Sequence, residues 1–248
     1  MAYFCAKDRA RSGNGSAGNP DFFPKRTGEM PIMEFAETLR ARRSIRYFKN
    51  ETVDPALLTR IVQDACLAPS WVNAQEWQVW ALTGKALEAF RAEHSRLDLA
   101  GVKGYSETKP AHREQFSAMA QENMRTFTQQ RKDAGLAQVK LESQAWLFHA
   151  PAVLFLTVPK TRGDFAIFDL GGFAQTLMLA AADRGVSSVI AYNLVKYPDV
   201  IRKYVPITQD EEIVIGIALG YAAPHPLNDF RSTRRGVDDI LHIVQETT

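Results

Sequence analysis

Ala41-Arg42-Arg43-Ser44-Ile45-Arg46-Tyr47-Phe48 places three arginines and a serine within five positions. Just before it, Phe35, Ala36 and Leu39 have the spacing of an amphipathic helix over residues 33–40. Arginine binds phosphate through charge-assisted, bidentate hydrogen bonds, although cations are also common at helix C-termini without any ligand. The stretch therefore predicts a short helix that leads into a local anion site, with phosphate as the simplest ligand.

A second basic segment lies far along the chain. Asn228-Asp229-Phe230-Arg231-Ser232-Thr233-Arg234-Arg235 follows a predicted strand that ends near Tyr221. Two arginine clusters that converge on one phosphate would bind it more tightly than either alone.

Composition restricts the class of protein. The 248 residues are 46% hydrophobic and 23% charged, which is typical of a globular chain and not of a disordered or fibrous one. The net charge of +2 is too small for a general nucleic-acid or membrane-surface field. The longest apolar runs, 150–158 and 213–219, are too short to span a bilayer and suit buried strands. We therefore expect neither a nucleic-acid nor a membrane partner.

Cysteine usage and motifs exclude several kinds of site. The two cysteines, Cys5 and Cys66, match neither a CxxC motif nor metal-ligand spacing, so we expect no metal and a cytoplasmic location. No HExxH, GxSxG or GxxxxGK[ST] motif occurs. Each of the five histidines is expected either on the surface or in a satisfied core position, and no side chain is assigned as a classical catalytic residue.

The N-terminal segment 1–30 differs from the rest. It is polar and glycine-rich over 11–20, which predicts a mobile tail ahead of one domain at 31–248. Residues 13–18 match the pattern GxGxxG, but no predicted strand precedes them and Pro20 follows, so we interpret the match as accidental.

The remaining chain alternates loosely between helices and strands, which indicates an α+β fold around a modest sheet. Asp54-Pro55 is a helix start signal, and Ser187–Ala191 is a short apolar strand. Further strands are predicted at 77–83, 152–158 and 213–221, and further helices at 54–67, from 85, 112–132, 165–182, 198–204 and from about 236.

Three motifs together resemble the FMN-dependent nitroreductase family. They are Arg-Arg-Ser-Ile-Arg-x-Phe at 42–48, Ala-Pro-Ser-x-x-Asn-x-Gln-x-Trp at 68–77, and Gly-Ile-Ala-Leu-Gly-Tyr at 216–221 followed by Asn-x-Phe-Arg-Ser-x-Arg at 228–234. The resemblance covers about residues 33–245, except for 100–145. It implies a nitroreductase-like fold with a central, mostly antiparallel sheet flanked by helices. It also implies an intertwined homodimer with FMN at the subunit interface.

The resemblance assigns roles to individual residues. It implies that Arg42, Arg43 and Ser44 hold the FMN phosphate and ribityl chain, and that Arg234 and Arg231 close on the phosphate. Arg46 would face the pyrimidine side of the flavin, where a cation stabilises negative charge on the reduced ring.

Two further segments would contact the flavin. Pro69, Ser70, Trp71 and Asn73 would come from the neighbouring chain, although core packing explains Trp71 about as well. Backbone N–H groups of Tyr192 and Asn193 would meet flavin N5 and O4. Familiar members often carry a small residue at the position of Asn193, so its side chain could intrude on the site.

The expected function is an oxidoreductase that uses NADH or NADPH to reduce a nitroaromatic, a quinone or a similar flat electrophile in two half-reactions. Other flavin chemistry is possible on the same fold: flavin reduction, enone reduction, reductive dehalogenation, azoline oxidation or flavin breakdown. Two non-enzymatic alternatives are a flavin-binding protein without turnover and a basic interaction module acting through residues 1–29.

Overall fold

The computed structural model describes residues 33–245. The predicted tail, its GxGxxG match and the boundary at residue 30 lie outside this range and stay predictions. Seven helices lie within it: α1 Phe35–Ala41, α2 Pro55–Ala65, α3 Gly84–Leu99, α4 Ala118–Asp133, α5 Asp164–Asp183, α6 Pro198–Tyr204 and α7 Pro226–Asp229. Short 3-10 turns occur at Trp71–Asn73, Arg113–Gln115, Glu142–His149, Tyr192–Leu194 and Val237–Asp239.

Four strands form one antiparallel sheet, which confirms the predicted α+β class and the mostly antiparallel sheet. The strands are β1 Gln78–Thr83, β2 Ala152–Pro159, β3 Ser187–Ala191 and β4 Glu211–Gly220, in the order β1-β2-β4-β3. In the β3–β4 pair, Ser188 lies opposite Leu219 and Ala191 opposite Gly216. The long central strand β4 therefore supports both β2 and the short edge strand β3.

Strand β2 is apolar except for the buried Thr157, because both faces of the sheet are covered. Val153 and Phe155 pack on one face with Phe90 of α3. Leu154 and Leu156 pack on the other face, where α2 and α5 contribute Ile61, Phe173 and other apolar side chains. Successive residues of a strand point to opposite faces. A strand that is buried on both faces therefore lacks the regular alternation of apolar and polar residues.

Two predicted helices differ from the structure. Helix α4 begins at Ala118 and not at His112, because the Ser117 side chain caps it by accepting a hydrogen bond from the Ala120 N–H. The predicted C-terminal helix near Gly236 is wrong: only the 3-10 turn Val237–Asp239 forms there. Residues 240–245, the last that the structure describes, are all exposed, so this part of the chain buries no apolar stripe that would stabilise a helix.

Helix α5 is long and apolar enough to cross a membrane by length and composition. The apolar runs judged too short to span a bilayer, 150–158 and 213–219, lie elsewhere, on strands β2 and β4. Half of its most apolar window is buried, and the core helix of a soluble protein passes the same test. Its buried residues Phe173 and Leu177 pack on the sheet, which accounts for its composition.

Candidate functional site

The arginine segment begins where α1 ends. Arg42 caps the helix by donating its backbone N–H to the carbonyl of Thr38 at 3.0 Å. The Ile45 N–H donates to the Ser188 carbonyl at 2.9 Å, and this contact attaches the segment to the start of β3. A cleft of about 180 Å³ lies between the two elements and is lined by Met33, Ala41, Arg42, Arg43, Ile45, Ala182, Gly185, Val186, Ser187 and Ser188.

The cleft carries positive charge that the described chain does not balance. The pKa of Arg42 lies below its ordinary value because the guanidinium is partly buried and because Arg234 is close enough to repel it. Within residues 33–245, no ion pair involves Arg42, Arg43 or Arg234. Arginines that repel each other beside a cleft suit a dianionic group such as a phosphate, which would offset the repulsion.

The second basic segment reaches the end of α1, where the first basic segment begins. The guanidinium of Arg231 donates to the carbonyl of Arg40 at 2.9 Å, next to the end of α1. Arg234 is exposed and donates to the backbone and hydroxyl oxygens of Ser232 and to the Thr233 carbonyl. The structure therefore brings Arg42 and Arg234 together electrostatically, whereas Arg231 is engaged at the helix end.

Asn228 joins the two basic segments, a role that its place in the motif at 228–234 does not predict. Its Oδ1 accepts hydrogen bonds from the backbone N–H groups of Arg46, at 2.8 Å, and Tyr47, at 3.3 Å. Its Nδ2 donates to the carbonyls of Tyr47 and Ala223, both at 2.8 Å. Asn228 is 2% exposed, so its amide uses every donor and acceptor position inside the protein.

Arg46 lies beside a second, smaller cavity and does not line the cleft. Its backbone carbonyl accepts a hydrogen bond from Ser143 Oγ at 2.6 Å, and its guanidinium donates to the Ser44 carbonyl at 3.2 Å. Burial lowers the pKa of Arg46, and the charge of Arg131 lowers it further. Ser44 itself forms an isolated parallel bridge with Ser188.

The segment 69–73 lines neither cavity. Trp71 is 58% exposed, so the core-packing interpretation of this residue is wrong within the described chain. Its indole stacks on Phe165 with ring centroids 4.7 Å apart. Val72 and Asn73 have φ angles of 44° and 59°, in the left-handed region that a β-branched residue rarely adopts. An exposed tryptophan on a strained turn is typical of a contact with something outside the chain.

Asp169 holds this turn, and the sequence does contain a signal for it. The carboxylate of Asp169, 8% exposed, accepts a hydrogen bond from the Trp71 N–H at 2.9 Å. Asp169 is the only charged residue between Phe165 and Ala182 in an otherwise apolar helix. A buried charge needs a hydrogen-bond partner. Here the partner is the backbone N–H of Trp71, which is 98 residues away in the sequence.

The turn Tyr192–Leu194 follows β3 and is held tightly against β4. Gly216 has no side chain here, and a Cβ on it would lie 2.5 Å from the Cβ of Leu194. The Asn193 side chain is buried and donates to the Gln144 carbonyl at 2.5 Å. The expected intrusion of Asn193 is therefore not seen, because its amide points into the protein, whereas Tyr192 is 43% exposed.

His94 is a core histidine, as expected for part of the histidines, and a neutral imidazole can donate to only one of the two carbonyls beside its ring. It is fully buried, and its ring nitrogens contact the carbonyls of Asn193 at 2.9 Å and Ala145 at 3.1 Å. Burial lowers the pKa of the imidazole, while the two carbonyls act in the opposite direction. Among residues 33–245, no group of three or more His, Cys, Asp or Glu side chains is arranged to hold a metal.

Known proteins resemble this chain in sequence and in fold. A family model described as the nitroreductase family matches residues 39–221. A 4-nitrobenzoate reductase of Pseudomonas putida is 28% identical over 226 residues, which cover 85% of this chain and 96% of that protein. A nitrobenzene nitroreductase of Ectopseudomonas oleovorans is 26% identical over 227 residues, which cover 88% of this chain and 100% of that protein.

A solved structure gives the same result for the fold. The FMN and NADPH-dependent nitroreductase NfnB from Sphigopyxis sp. strain HMH superposes with a TM-score of 0.77 at 25% identity. The match covers 86% of this chain and 100% of that one. The antiparallel sheet between helical layers is therefore a nitroreductase fold. The chain belongs to the nitroreductase family.

Proposed function

We propose that the protein is an FMN-dependent oxidoreductase that uses NADH or NADPH to reduce nitroaromatics, quinones or similar flat electrophiles. The observation that carries the proposal is the pair Arg42 and Arg234, which repel each other beside the cleft and lack an anionic partner within residues 33–245. The named activities of the curated relatives support the acceptor class. The description of NfnB supports FMN as cofactor and NADPH as one reductant.

The proposed roles follow the charges. Arg42, Arg43 and Ser44 would hold the FMN phosphate and ribityl chain, and Arg234 would close on the phosphate. Arg231 would align that closing segment through its bond to the end of α1. When bound, FMN supplies the hydride chemistry, and the protein supplies orientation and electrostatics. Arg46 would place a cation at the pyrimidine side, and the turn Tyr192–Leu194 would present backbone N–H groups.

A homodimer is part of the proposal. Pro69 and Asn73 are exposed and Ser70 is half-buried, in a segment that lines neither cavity of its own chain. The exposed segment 69–73 could therefore contact the FMN site of a second copy of the chain. Trp71 also stacks on the exposed Phe165, so an apolar surface adjoins the segment.

A cytoplasmic location likewise stays a prediction.

The direct test is the visible spectrum of the purified protein, followed by anaerobic mixing with NADH or NADPH. We expect flavin absorbance bands that bleach with one or both donors and return when a nitroaromatic is added. A yellow protein that neither donor bleaches would identify a flavin-binding protein without this activity. Bleaching with no nitroaromatic or quinone turnover would indicate another flavin chemistry of the fold.

The phosphate assignment has its own test. Arg42→Ala and Arg234→Ala should each raise the FMN dissociation constant about ten- to hundredfold, because a hydrogen bond to a charged group is worth about 1.5–3 kcal/mol. Fluorescence titration of the apoprotein with FMN measures this constant. Arg60→Ala is the matched control, since Arg60 is an exposed arginine on α2. Wild-type affinity in both cleft variants would reject the assignment.

A further inference from the structure

Two arginines meet in the smaller cavity, which belongs to neither basic segment alone. The cavity, called here the Arg46–Arg131 pocket, has a volume of about 30 Å³ and is lined by Arg46, Phe127, Arg131, Leu141, Leu227 and Phe230. Arg131 and Phe127 come from α4, whose polar sequence gave no match to a motif. The pocket thus joins a residue of the arginine segment to a helix whose function the sequence left open.

The charges in the pocket are not balanced by the described chain. Arg46 and Arg131 repel each other, and neither forms an ion pair within residues 33–245. The four other lining side chains are apolar and cannot offset the repulsion. Two like charges beside apolar walls are unfavourable unless an anion lies between or near them.

Both guanidinium groups keep donors for a ligand. Arg131 makes two long contacts, at 3.4 Å, with the carbonyls of Leu136 and Val139. Arg46 donates to one carbonyl, that of Ser44. Each guanidinium has five N–H donors, so most of them are not used by these bonds. The backbone of Arg46 is fixed by Asn228 and Ser143, which makes this side of the pocket rigid.

The size and walls of the pocket indicate the shape of the anion. A water molecule needs about 10–15 Å³ of such volume, so the pocket has room for about two waters or one carboxylate group. Phe127 is 37% exposed and packs edge-on against Phe230, with ring centroids 5.8 Å apart. An aromatic ring attached to the carboxylate would meet this phenyl surface at the opening.

We propose that the Arg46–Arg131 pocket binds the carboxylate of an aromatic acceptor, so that the enzyme prefers nitroaromatic acids to their uncharged analogues. This inference rests on the proposed function, in which Arg46 lies beside the flavin. An acceptor whose carboxylate binds Arg46 would therefore lie next to the flavin. Arg131 then determines specificity, because it binds the anionic substituent of the acceptor. Helix α4 positions Arg131 at the site.

The test compares 4-nitrobenzoate with its methyl ester in the FMN-loaded protein. We expect Arg131→Gln to lower kcat/KM for the acid, relative to the ester, about ten- to hundredfold, because it removes a hydrogen bond between charged groups. Arg131→Lys should retain part of the preference. Arg125→Gln, a change at an exposed arginine of the same helix that pairs with Glu122, should leave the ratio as in wild type.

A binding measurement makes the result independent of turnover. Calorimetric titration should give tighter binding of benzoate than of benzamide, and Arg131→Gln should remove the difference. An unchanged acid-to-ester ratio, or an equal loss for acid and ester, would overturn the inference and leave the oxidoreductase intact. If the wild type reduces neither these compounds nor any other nitroaromatic or quinone, the proposed function fails, and the titration still decides whether the pocket binds a carboxylate.

Discussion

At the scale of single residues, Asn228 decides how the two basic segments are held together. Its amide accepts from two backbone N–H groups of the arginine segment and donates to two carbonyls, so both its halves are used. A buried amide that is fully bonded stabilises a single arrangement, since any rotation leaves polar atoms without partners. The arginines around the cleft therefore depend on a residue that carries no charge.

Asn228→Asp tests this dependence with almost no change in shape. The new carboxylate oxygen would face the carbonyls of Tyr47 and Ala223 without a proton to donate. The Ala223 carbonyl would lose its donor, whereas the Tyr47 carbonyl would keep the backbone N–H of Ala223. Each unsatisfied group costs about 1–3 kcal/mol, so we expect the free energy of unfolding to fall by about 2–4 kcal/mol. Urea unfolding measures the loss, and FMN titration should show weaker binding. Asn50→Asp, at an exposed position beside the segment, should change neither quantity.

At the scale of elements, His94 connects three pieces of backbone. It lies on α3 and contacts a carbonyl of the irregular segment Glu142–His149 and a carbonyl of the turn Tyr192–Leu194. Ser95 Oγ donates to the same Ala145 carbonyl at 2.9 Å. The turn proposed to face the flavin is therefore tied to the core through an imidazole, and its position depends on the hydrogen bonds of that ring.

The protonation of His94 should make stability depend on pH. Burial lowers its pKa most, its two carbonyl contacts and Asp98 raise it, and Lys196 lowers it. With a net lowered pKa, the folded chain binds fewer protons than the unfolded chain below about pH 6.5, so the free energy of unfolding falls as the pH falls. We expect urea unfolding to show a smaller fall between pH 7 and pH 5 for His94→Gln than for wild type. His112→Gln, an exposed control, should keep the wild-type slope, and an unchanged slope in His94→Gln would contradict the assignment.

The sequence predicts a helix or strand correctly when residues within that element determine its formation. The strand at 187–191 and the helix at 198–204 are found at the predicted residues, because short apolar runs and a proline at the first helical position define them. The helix expected near Gly236 fails because nothing in the described chain covers its apolar side chains. The bond between Arg46 and Asn228 spans 182 residues, and periodicity contains no information about such a contact.

The same distinction applies to the site. The three basic and polar motifs are recognisable in the sequence, and the family resemblance that they carry implies that Arg42 and Arg234 act on one phosphate. In the structure Arg234 is close enough to Arg42 to lower its pKa. Asn228, Asp169 and His94 act through backbone atoms of distant segments, so only the folded chain reveals their partners, although a lone charge in α5 marks Asp169 in the sequence. Arg131 is similar, since it is one of several charged residues on a polar helix.

At the scale of the whole molecule, three exposed aromatic side chains form one apolar surface that no other part of the described chain covers. Trp71, Phe165 and Phe168 are 58%, 55% and 77% exposed, and their rings contact one another in sequence. Single exposed apolar residues are common, but three adjoining aromatic rings are typical of an interaction surface. The strained turn at Trp71 belongs to this surface, so whatever covers it also contacts a segment proposed to complete the site.

A second copy of the chain should cover this aromatic surface, and cofactor binding should depend on it. Light scattering should give twice the monomer mass of 27.8 kDa. Phe168→Ser should shift the protein toward the monomer and weaken FMN retention in parallel, because the segment 69–73 of the partner would leave the site. Leu99→Ser, at a 65% exposed position on α3, controls for the loss of an exposed apolar side chain. A wild-type monomer that retains one FMN per chain would contradict the shared site, because each chain would then complete its own.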